Sequence, residues 1–94
     1  MNPAPQKYHY VYILNSTKKD FLYIGATSDL KNRLNEHREG KCYSTKKYLP
    51  VKLVYYEAFL SKSDAFDREK KLKYHGKSLK LLKNRICNSL RGAG

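Results

Sequence analysis

The sequence lacks most of the features that mark a secreted, zinc-stapled or membrane-bound protein. It has no tryptophan and only two cysteines, Cys42 and Cys87, which lie far apart without a CxxC partner. That spacing indicates neither a zinc site nor a disulfide framework. No apolar run approaches the roughly 20 residues that cross a bilayer. The N-terminus, Met1-Asn2-Pro3-Ala4-Pro5, has no apolar core of the kind found in a signal peptide. We therefore expect a cytoplasmic protein with no membrane partner.

Acidic residues are scarce and unevenly placed. Eight Asp+Glu stand against twenty Lys+Arg, which gives a formal net charge of +12 at pH 7. No acidic residue follows Glu69, whereas eight basic ones do: Lys70, Lys71, Lys73, Lys77, Lys80, Lys83, Arg85 and Arg91. A field of this sign favours a polyanion, because each neutralised phosphate releases condensed counterions. We expect the C-terminal quarter to face phosphates; the alternative is a merely solvated helix face.

Ninety-four residues with 40% apolar side chains suffice for one domain with a modest core. We expect that domain to span 8–90, with loose tails at 1–7 and 91–94. The alternation over 8–14 predicts a strand, and the polar stretch 15–20 predicts a hairpin loop before a second strand at 21–25. Thr27-Ser28-Asp29 supplies capping oxygens for a helix. Leu30, Leu34 and His37 recur along it at helical spacing, and Gly40 ends it.

The second half of the chain predicts one more strand and two more helices. A basic loop without periodicity covers 41–50, and an apolar strand covers 51–59. Ser61 or Ser63 caps a helix that Gly76 ends, with one side-chain stripe formed by Ala65, Phe66, Glu69 and Leu72. A last helix has the apolar face Leu79, Leu82, Ile86 and Leu90. The predicted fold class is therefore α+β, a three-stranded antiparallel sheet flanked by helices in the order β-β-α-β-α-α.

Five side chains stand out for their chemistry. Glu69 lies on a core-facing stripe, where a carboxylate is costly unless a basic partner or a metal compensates it. Arg33 and His37, four residues apart, share a helix face and could hold a phosphate and move a proton, although many solvated helices carry such a pair. Tyr12 and Tyr23 lie on the two paired strands. Either could be core packing with a hydrogen-bonded hydroxyl.

In this order the residues form a known pattern. Tyr10-Val11-Tyr12 followed by Tyr23-Ile24-Gly25 resembles the paired signature of the GIY-YIG nucleases. The arginine helix of that family falls on 30–37, its metal-binding glutamate on Glu69, and a polar residue of its last helix on Asn84. The similarity runs from about residue 8 to residue 86 and is greatest to the small standalone bacterial members. Tyr10 replaces the first glycine of the family signature, and Val11 replaces its isoleucine.

The resemblance implies a metal-dependent endonuclease that hydrolyses DNA phosphodiester bonds with one metal and an activated water. Glu69 would hold Mg²⁺ or Mn²⁺, and Arg33 would neutralise charge on the phosphate. Tyr12 would position the attacking water and could deprotonate it, with Tyr23 hydrogen-bonded in the same cluster. His37 would accept a proton or hold Tyr12. A further catalytic candidate is Asn84, which would steady the metal ligand or the phosphate.

We expect a monomer whose partner is nicked, branched or duplex DNA, with a role in DNA repair or recombination. The residues expected to contact nucleic acid are Lys46, Lys47, Lys70, Lys73, Lys77 and Lys80. Because such domains often take their specificity from an attached domain, a separate partner protein could supply it here. The alternative is a non-catalytic nucleic-acid-binding module on the same scaffold. A basic structural protein would leave the glutamate and the paired tyrosines unexplained.

Overall fold

The computed structural model describes residues 7–92, so most of the two expected tails lies outside the described residues. Along the chain the elements are β1 (His9–Ser16), β2 (Leu22–Thr27), α1 (Leu30–Arg38), α2 (Tyr43–Lys46), β3 (Val51–Phe59), α3 (Lys62–Tyr74), α4 (Gly76–Arg85) and α5 (Cys87–Leu90). The predicted α+β class is confirmed. Within the described residues no helix is both long and apolar enough to cross a membrane.

The three strands form one antiparallel sheet in the order β2-β1-β3. Tyr12 of the central strand pairs with Gly25 on one side and with Tyr56 on the other. The expected hairpin between β1 and β2 is confirmed, and the Ser16 backbone N–H closes it by donating to the Phe21 carbonyl at 3.0 Å. Its central position makes β1 the most deeply buried strand, with residues 11–14 all at 1% exposure or less.

Helices cover the sheet on both faces, as the apolar third strand predicts. Because side chains alternate along a strand, Val11 and Ile13 point to one face and pack against Leu72 of α3 and Leu82 of α4. Tyr12 and Leu14 point to the opposite face, where Leu30 and Leu34 of α1 cover them. On this second face, Tyr12 therefore lies under α1, the helix that carries Arg33.

The caps of the first long helices follow the sequence signals. The Asp29 carboxylate accepts from the Asn32 backbone N–H and begins α1, and Gly40, at φ +75°, lies just past the end of that helix. Left-handed backbone of this kind is easiest for glycine, which has no Cβ. Of the two serines that could cap α3, Ser61 does so, by accepting from the Asp64 backbone N–H at 3.4 Å.

Four details differ from the prediction. The expected loop at 41–50 contains the one-turn helix α2. Gly76 begins α4 rather than ending α3, because the extended backbone of His75 already separates the two helices. The predicted last helix is broken at Ile86, and the turn there lets Leu90 reach the core and accept from the Asn15 side chain at 3.2 Å. Phe66, expected on the core-facing stripe, is 45% exposed, and the Lys62 ammonium lies 5.5 Å from the centroid of its ring.

Candidate active site

The centre of the candidate site is a buried contact between Tyr12 and His37. The Tyr12 hydroxyl lies 2.9 Å from His37 Nε2, and both residues are 1% exposed. Opposite them on β2 is Gly25, where a Cβ would lie 2.5 Å from the Tyr12 hydroxyl oxygen and 2.9 Å from Tyr23 Cε2. The glycine of the second signature is therefore required by the close approach of the two tyrosine rings to the β2 backbone.

Tyr23 completes a cluster of three rings. Its centroid lies 6.2 Å from that of Tyr12 and 5.1 Å from that of His37, and the Tyr12 and His37 centroids are 5.7 Å apart. Tyr23 is half-buried, whereas the other two rings are covered. The structure thus brings together three of the expected site residues, and Tyr23 forms the open side of this cluster.

Thr45 is a member of this cluster that the sequence did not reveal. Its hydroxyl lies 2.7 Å from His37 Nδ1, and the residue has no exposed surface. It comes from the one-turn helix α2, in a stretch whose lack of periodicity gave no signal. Tyr12, His37 and Thr45 thus form a buried hydrogen-bonded chain, in which both ring nitrogens of the histidine have partners.

Burial sets the protonation of this chain. Burial raises the pKa of Tyr12 well above its usual range, the nearby Tyr23 adds to the rise, and Arg33 opposes it. The pKa of His37 is lowered, first by burial and then by Arg33. At neutral pH Tyr12 therefore keeps its proton and His37 is uncharged. A neutral imidazole has one donor and one acceptor nitrogen, which matches two hydroxyl partners that can each donate or accept.

Arg33 lies on the same helix as His37 but faces solvent. Its side chain is 44% exposed and forms a loose ion pair of 3.6 Å with Glu36. Its charge nevertheless acts on both Tyr12 and His37, as their pKa shifts record. One turn of α1 therefore separates a buried proton-carrying ring from an exposed guanidinium that is available to an anion.

Glu69 is paired as well as half-buried. Its side chain is 18% exposed, and one carboxylate oxygen lies 3.1 Å from the ammonium of Lys73, one turn further along α3. The lysine partner considered from the sequence is therefore present, and the carboxylate is not left uncompensated. Its negative charge also raises the pKa of Tyr12, which places Glu69 within electrostatic range of the ring cluster.

Glu69 fits a hard divalent cation with few protein ligands. Within residues 7–92 no three histidine, cysteine, aspartate or glutamate side chains gather as a metal cage, so a zinc-type site does not fit. Mg²⁺ commonly takes one or two carboxylates and fills its remaining positions with water and substrate phosphate. A single carboxylate suits that arrangement, with Lys73 as the competitor that the cation must displace.

The remaining expected site residues lie on the surface. Asn84 is exposed near the end of α4 and, within the described part of the chain, makes no side-chain hydrogen bond. All six lysines expected to contact nucleic acid are exposed: Lys46, Lys47, Lys70, Lys73, Lys77 and Lys80. Of these, Lys73 is engaged with Glu69.

A second polar network, also missed from the sequence, ties α3 to the sheet. The Arg68 guanidinium donates to both oxygens of Glu57 at 2.9–3.1 Å, and the Tyr55 hydroxyl donates to the same carboxylate at 2.6 Å. Tyr55 and Glu57 are two residues apart on β3 and so share one face. Because Arg68 precedes Glu69 directly, this network holds the turn of α3 that carries the candidate metal ligand.

Comparison with known proteins decides the family. A family model described as the GIY-YIG catalytic domain matches residues 8–84. The chain belongs to the GIY-YIG family. The resemblance inferred from the two tyrosine signatures is confirmed, and the family is a superfamily of nucleases whose members generally use divalent metals.

Several relatives share most of this chain. A UPF0213 protein of Streptococcus agalactiae is 44% identical over 73 residues, which cover 77% of this chain and 82% of the relative. A UPF0213 protein of Staphylococcus haemolyticus is 43% identical over 74 residues, 78% of this chain and 89% of the relative. One from Haloquadratum walsbyi is 38% identical over 74 residues, 78% and 82% respectively. No solved structure matches the chain.

Proposed function

We propose that this GIY-YIG protein is an endonuclease that hydrolyses phosphodiester bonds in DNA with one divalent cation and an activated water. The observation that carries the proposal is the buried Tyr12–His37–Thr45 chain next to the exposed guanidinium of Arg33. A structural tyrosine needs one hydrogen-bond partner. A histidine held neutral and bonded on both nitrogens is instead suited to receive a proton.

The proton of the attacking water passes through this chain. As the water oxygen attacks phosphorus, its proton moves to the Tyr12 oxygen while the Tyr12 proton moves to His37 Nε2. Tyr12 thus begins and ends as a phenol, so its raised pKa is not an obstacle. His37 becomes an imidazolium whose Nδ1–H donates to Thr45. Because the Tyr12 hydroxyl is covered, the water has to approach past Tyr23, on the open side of the cluster.

Arg33 and Glu69 act on the phosphate. The Arg33 fork donates to the phosphate oxygens, on which negative charge grows as the water attacks. Glu69 would hold the cation, which would supply Lewis-acid stabilisation of the negative charge on the phosphate. Binding of a cation by Glu69 would compete with its ion pair to Lys73, and the Lys73 ammonium would then be free to contact the DNA backbone.

The decisive experiment is Glu69→Gln, which is close to isosteric and removes only the negative ligand. The wild type should cut nicked, branched or duplex DNA with Mg²⁺ or Mn²⁺, and EDTA or Glu69→Gln should abolish cleavage. DNA binding in EDTA should persist in the variant and tighten, because a negative charge facing phosphate is gone. Metal should raise the free energy of unfolding of the wild type by RT ln(1 + [L]/Kd), reduced by the need to displace Lys73, and should therefore raise its melting temperature.

The matched control is Glu39→Gln. Glu39 is also paired with a lysine, Lys41 at 3.5 Å, but on the exposed end of α1. This variant should keep both the cleavage and the metal-dependent rise in melting temperature. If the purified wild type binds all three DNAs and cuts none with either metal, the nuclease proposal fails. The non-catalytic nucleic-acid-binding module then takes its place.

A further inference from the structure

A cleft of about 520 Å³, lined by none of the three rings, lies between the tip of the β1–β2 hairpin and the end of α1. Lys18, Arg38, Leu49, Pro50 and Val51 line it. Its volume is in the range of sites that bind small organic ligands or parts of larger ones. No acidic side chain is among the residues that line it, so its charge is entirely positive.

The walls of this cleft are held by specific bonds. The Thr17 backbone N–H and hydroxyl both donate to the Pro50 carbonyl, at 2.9 and 3.2 Å. The Ser16 hydroxyl donates to the Tyr48 carbonyl at 2.7 Å. Phe21 stacks on the Tyr48 ring with centroids 3.6 Å apart and planes 4° from parallel. The hairpin and the segment 48–50 therefore form one unit, and the space between that unit and α1 is a built feature of the fold.

The two cations of the cleft are available to an anion. Lys18 and Arg38 are both exposed, and neither has a carboxylate within ion-pair distance among residues 7–92. Between them lies the apolar surface of Leu49-Pro50-Val51. Two cations beside an apolar wall match a nucleotide, since its phosphate needs donors and its sugar and base present apolar surface.

Helix α1 connects this cleft to the candidate active site. His37 and Arg38 are consecutive, so their side chains point about 100° apart around the helix. His37 points inward to Tyr12, and Arg38 points outward to the cleft. Arg33 and Arg38 are five residues apart, which places them roughly 7.5 Å apart along the helix axis and about 140° apart around it. A strand whose scissile phosphate lies at Arg33 therefore reaches Arg38 by passing round the side of α1, with a phosphate that is not adjacent to the scissile one.

We propose that this cleft binds a nucleotide of the same DNA strand that is cut, at a phosphate other than the scissile one. Lys18 and Arg38 hold that flanking phosphate, and Leu49-Pro50-Val51 receives its sugar and base. The inference rests on the proposed nuclease function. It adds that recognition of the strand requires a minimum length on one side of the cut.

The test measures binding in EDTA, so that it does not depend on cleavage. For duplex DNA, log affinity against log salt has a slope of about −0.9 per phosphate contact. Because Lys18 and Arg38 hold one phosphate between them, the double variant Lys18→Ala/Arg38→Ala should reduce the magnitude of the slope by about 0.9. Lys7→Ala/Lys62→Ala removes two exposed positive charges outside the cleft and is the control. It should leave the slope within about 0.5 of the wild type. Both cleft residues are exposed, so both variants should fold and melt like the wild type.

Shortening the DNA one nucleotide at a time from each side of a nick provides the second arm. On one side only, the wild type should lose affinity at a defined length and fall to the level of the cleft variant, which should not change there. If the cleft variant and the control variant have the same salt-dependence slope, the proposal is overturned. A length series without that step also overturns it. Cleavage by the wild type is measured separately, with Mg²⁺, so failure of the nuclease function is recognised independently.

Discussion

Gly25→Ala puts the packing of the site under direct test. The new Cβ would lie 2.5 Å from the Tyr12 hydroxyl oxygen and 2.6 Å from its Cζ. Non-bonded atoms are most favourably placed at roughly 3.5–4.0 Å, so the ring has to withdraw by about 1 Å. Tyr12 is 1% exposed and packs against Leu14 and Val51, and thus it has no free space to enter.

The expected cost combines two effects. Overpacking a buried site costs about 1–3 kcal/mol, and loss of the Tyr12–His37 hydrogen bond adds about 0.5–1.5 kcal/mol. We therefore expect urea unfolding to show a free energy of unfolding about 2–4 kcal/mol lower, a large part of the 5–15 kcal/mol typical of a domain. Below the transition, in folded protein, cleavage should fall by about 10² or more, because displacement of a catalytic group by about 1 Å has effects of that size.

Gly76→Ala is the matched control. It is the same substitution at the first residue of α4, where a Cβ would meet nothing within 4 Å. Since alanine is the better helix former by up to about 1 kcal/mol, this variant should be as stable as the wild type or more so, with unchanged cleavage. A Gly25→Ala protein whose free energy of unfolding is within about 0.5 kcal/mol of the wild type would refute the packing described for Tyr12.

Three further predictions concern charge and protonation. Arg33→Lys should lower the cleavage rate by about 10²–10³ without changing the melting temperature, because an ammonium cannot reproduce the guanidinium fork. The lowered pKa of His37 means that it stabilises the fold above the ordinary histidine pKa of roughly 6.5. This contribution is lost as the pH falls through 6.5 toward the folded-state pKa. The free energy of unfolding in urea should therefore fall between pH 8 and pH 5, and it should fall less in the His37→Gln variant. Glu57→Gln should cost about 1–2 kcal/mol in the same assay, because it leaves the half-buried Arg68 cation without its carboxylate. Glu36→Gln, at a more exposed pair, should cost less than about 0.5 kcal/mol.

The parts of the fold that follow from local patterns were predictable. The third strand has the predicted bounds, since an apolar run between a proline and a serine-rich turn has few other ways to fold. Asp29, Gly40 and Ser61 act as the sequence indicates, because a cap depends on a side chain and the backbone within three residues of it. Ile86 was missed as a break, because its apolar spacing suits one continuous helix and only tertiary contacts of Leu90 favour the turn.

The candidate site was only partly predictable for a related reason. Tyr12, Tyr23, Arg33 and Glu69 could be chosen because the paired signatures give their order along the chain. The contact of His37 with Thr45 joins two residues eight apart across a loop without periodicity, and no local pattern indicates it. The Tyr55–Glu57 contact could have been suspected, since the two are alternate residues of a strand and therefore share a face. The partner on α3 could not, because it depends on how that helix crosses the sheet.

The position of β1 in the middle of the sheet has a consequence for the synthesis of the protein. β1 can pair with β2 through a short hairpin as soon as both have been synthesised, but its other edge has to wait for residues 51–59. Until then β1 presents unpaired backbone groups along an apolar strand, which is the kind of edge that invites aggregation. Glu69 and the helix that carries it emerge later still. A nascent chain therefore has no complete candidate site until α3 has been synthesised, and a product that ends before β3 would be an aggregation hazard without that site.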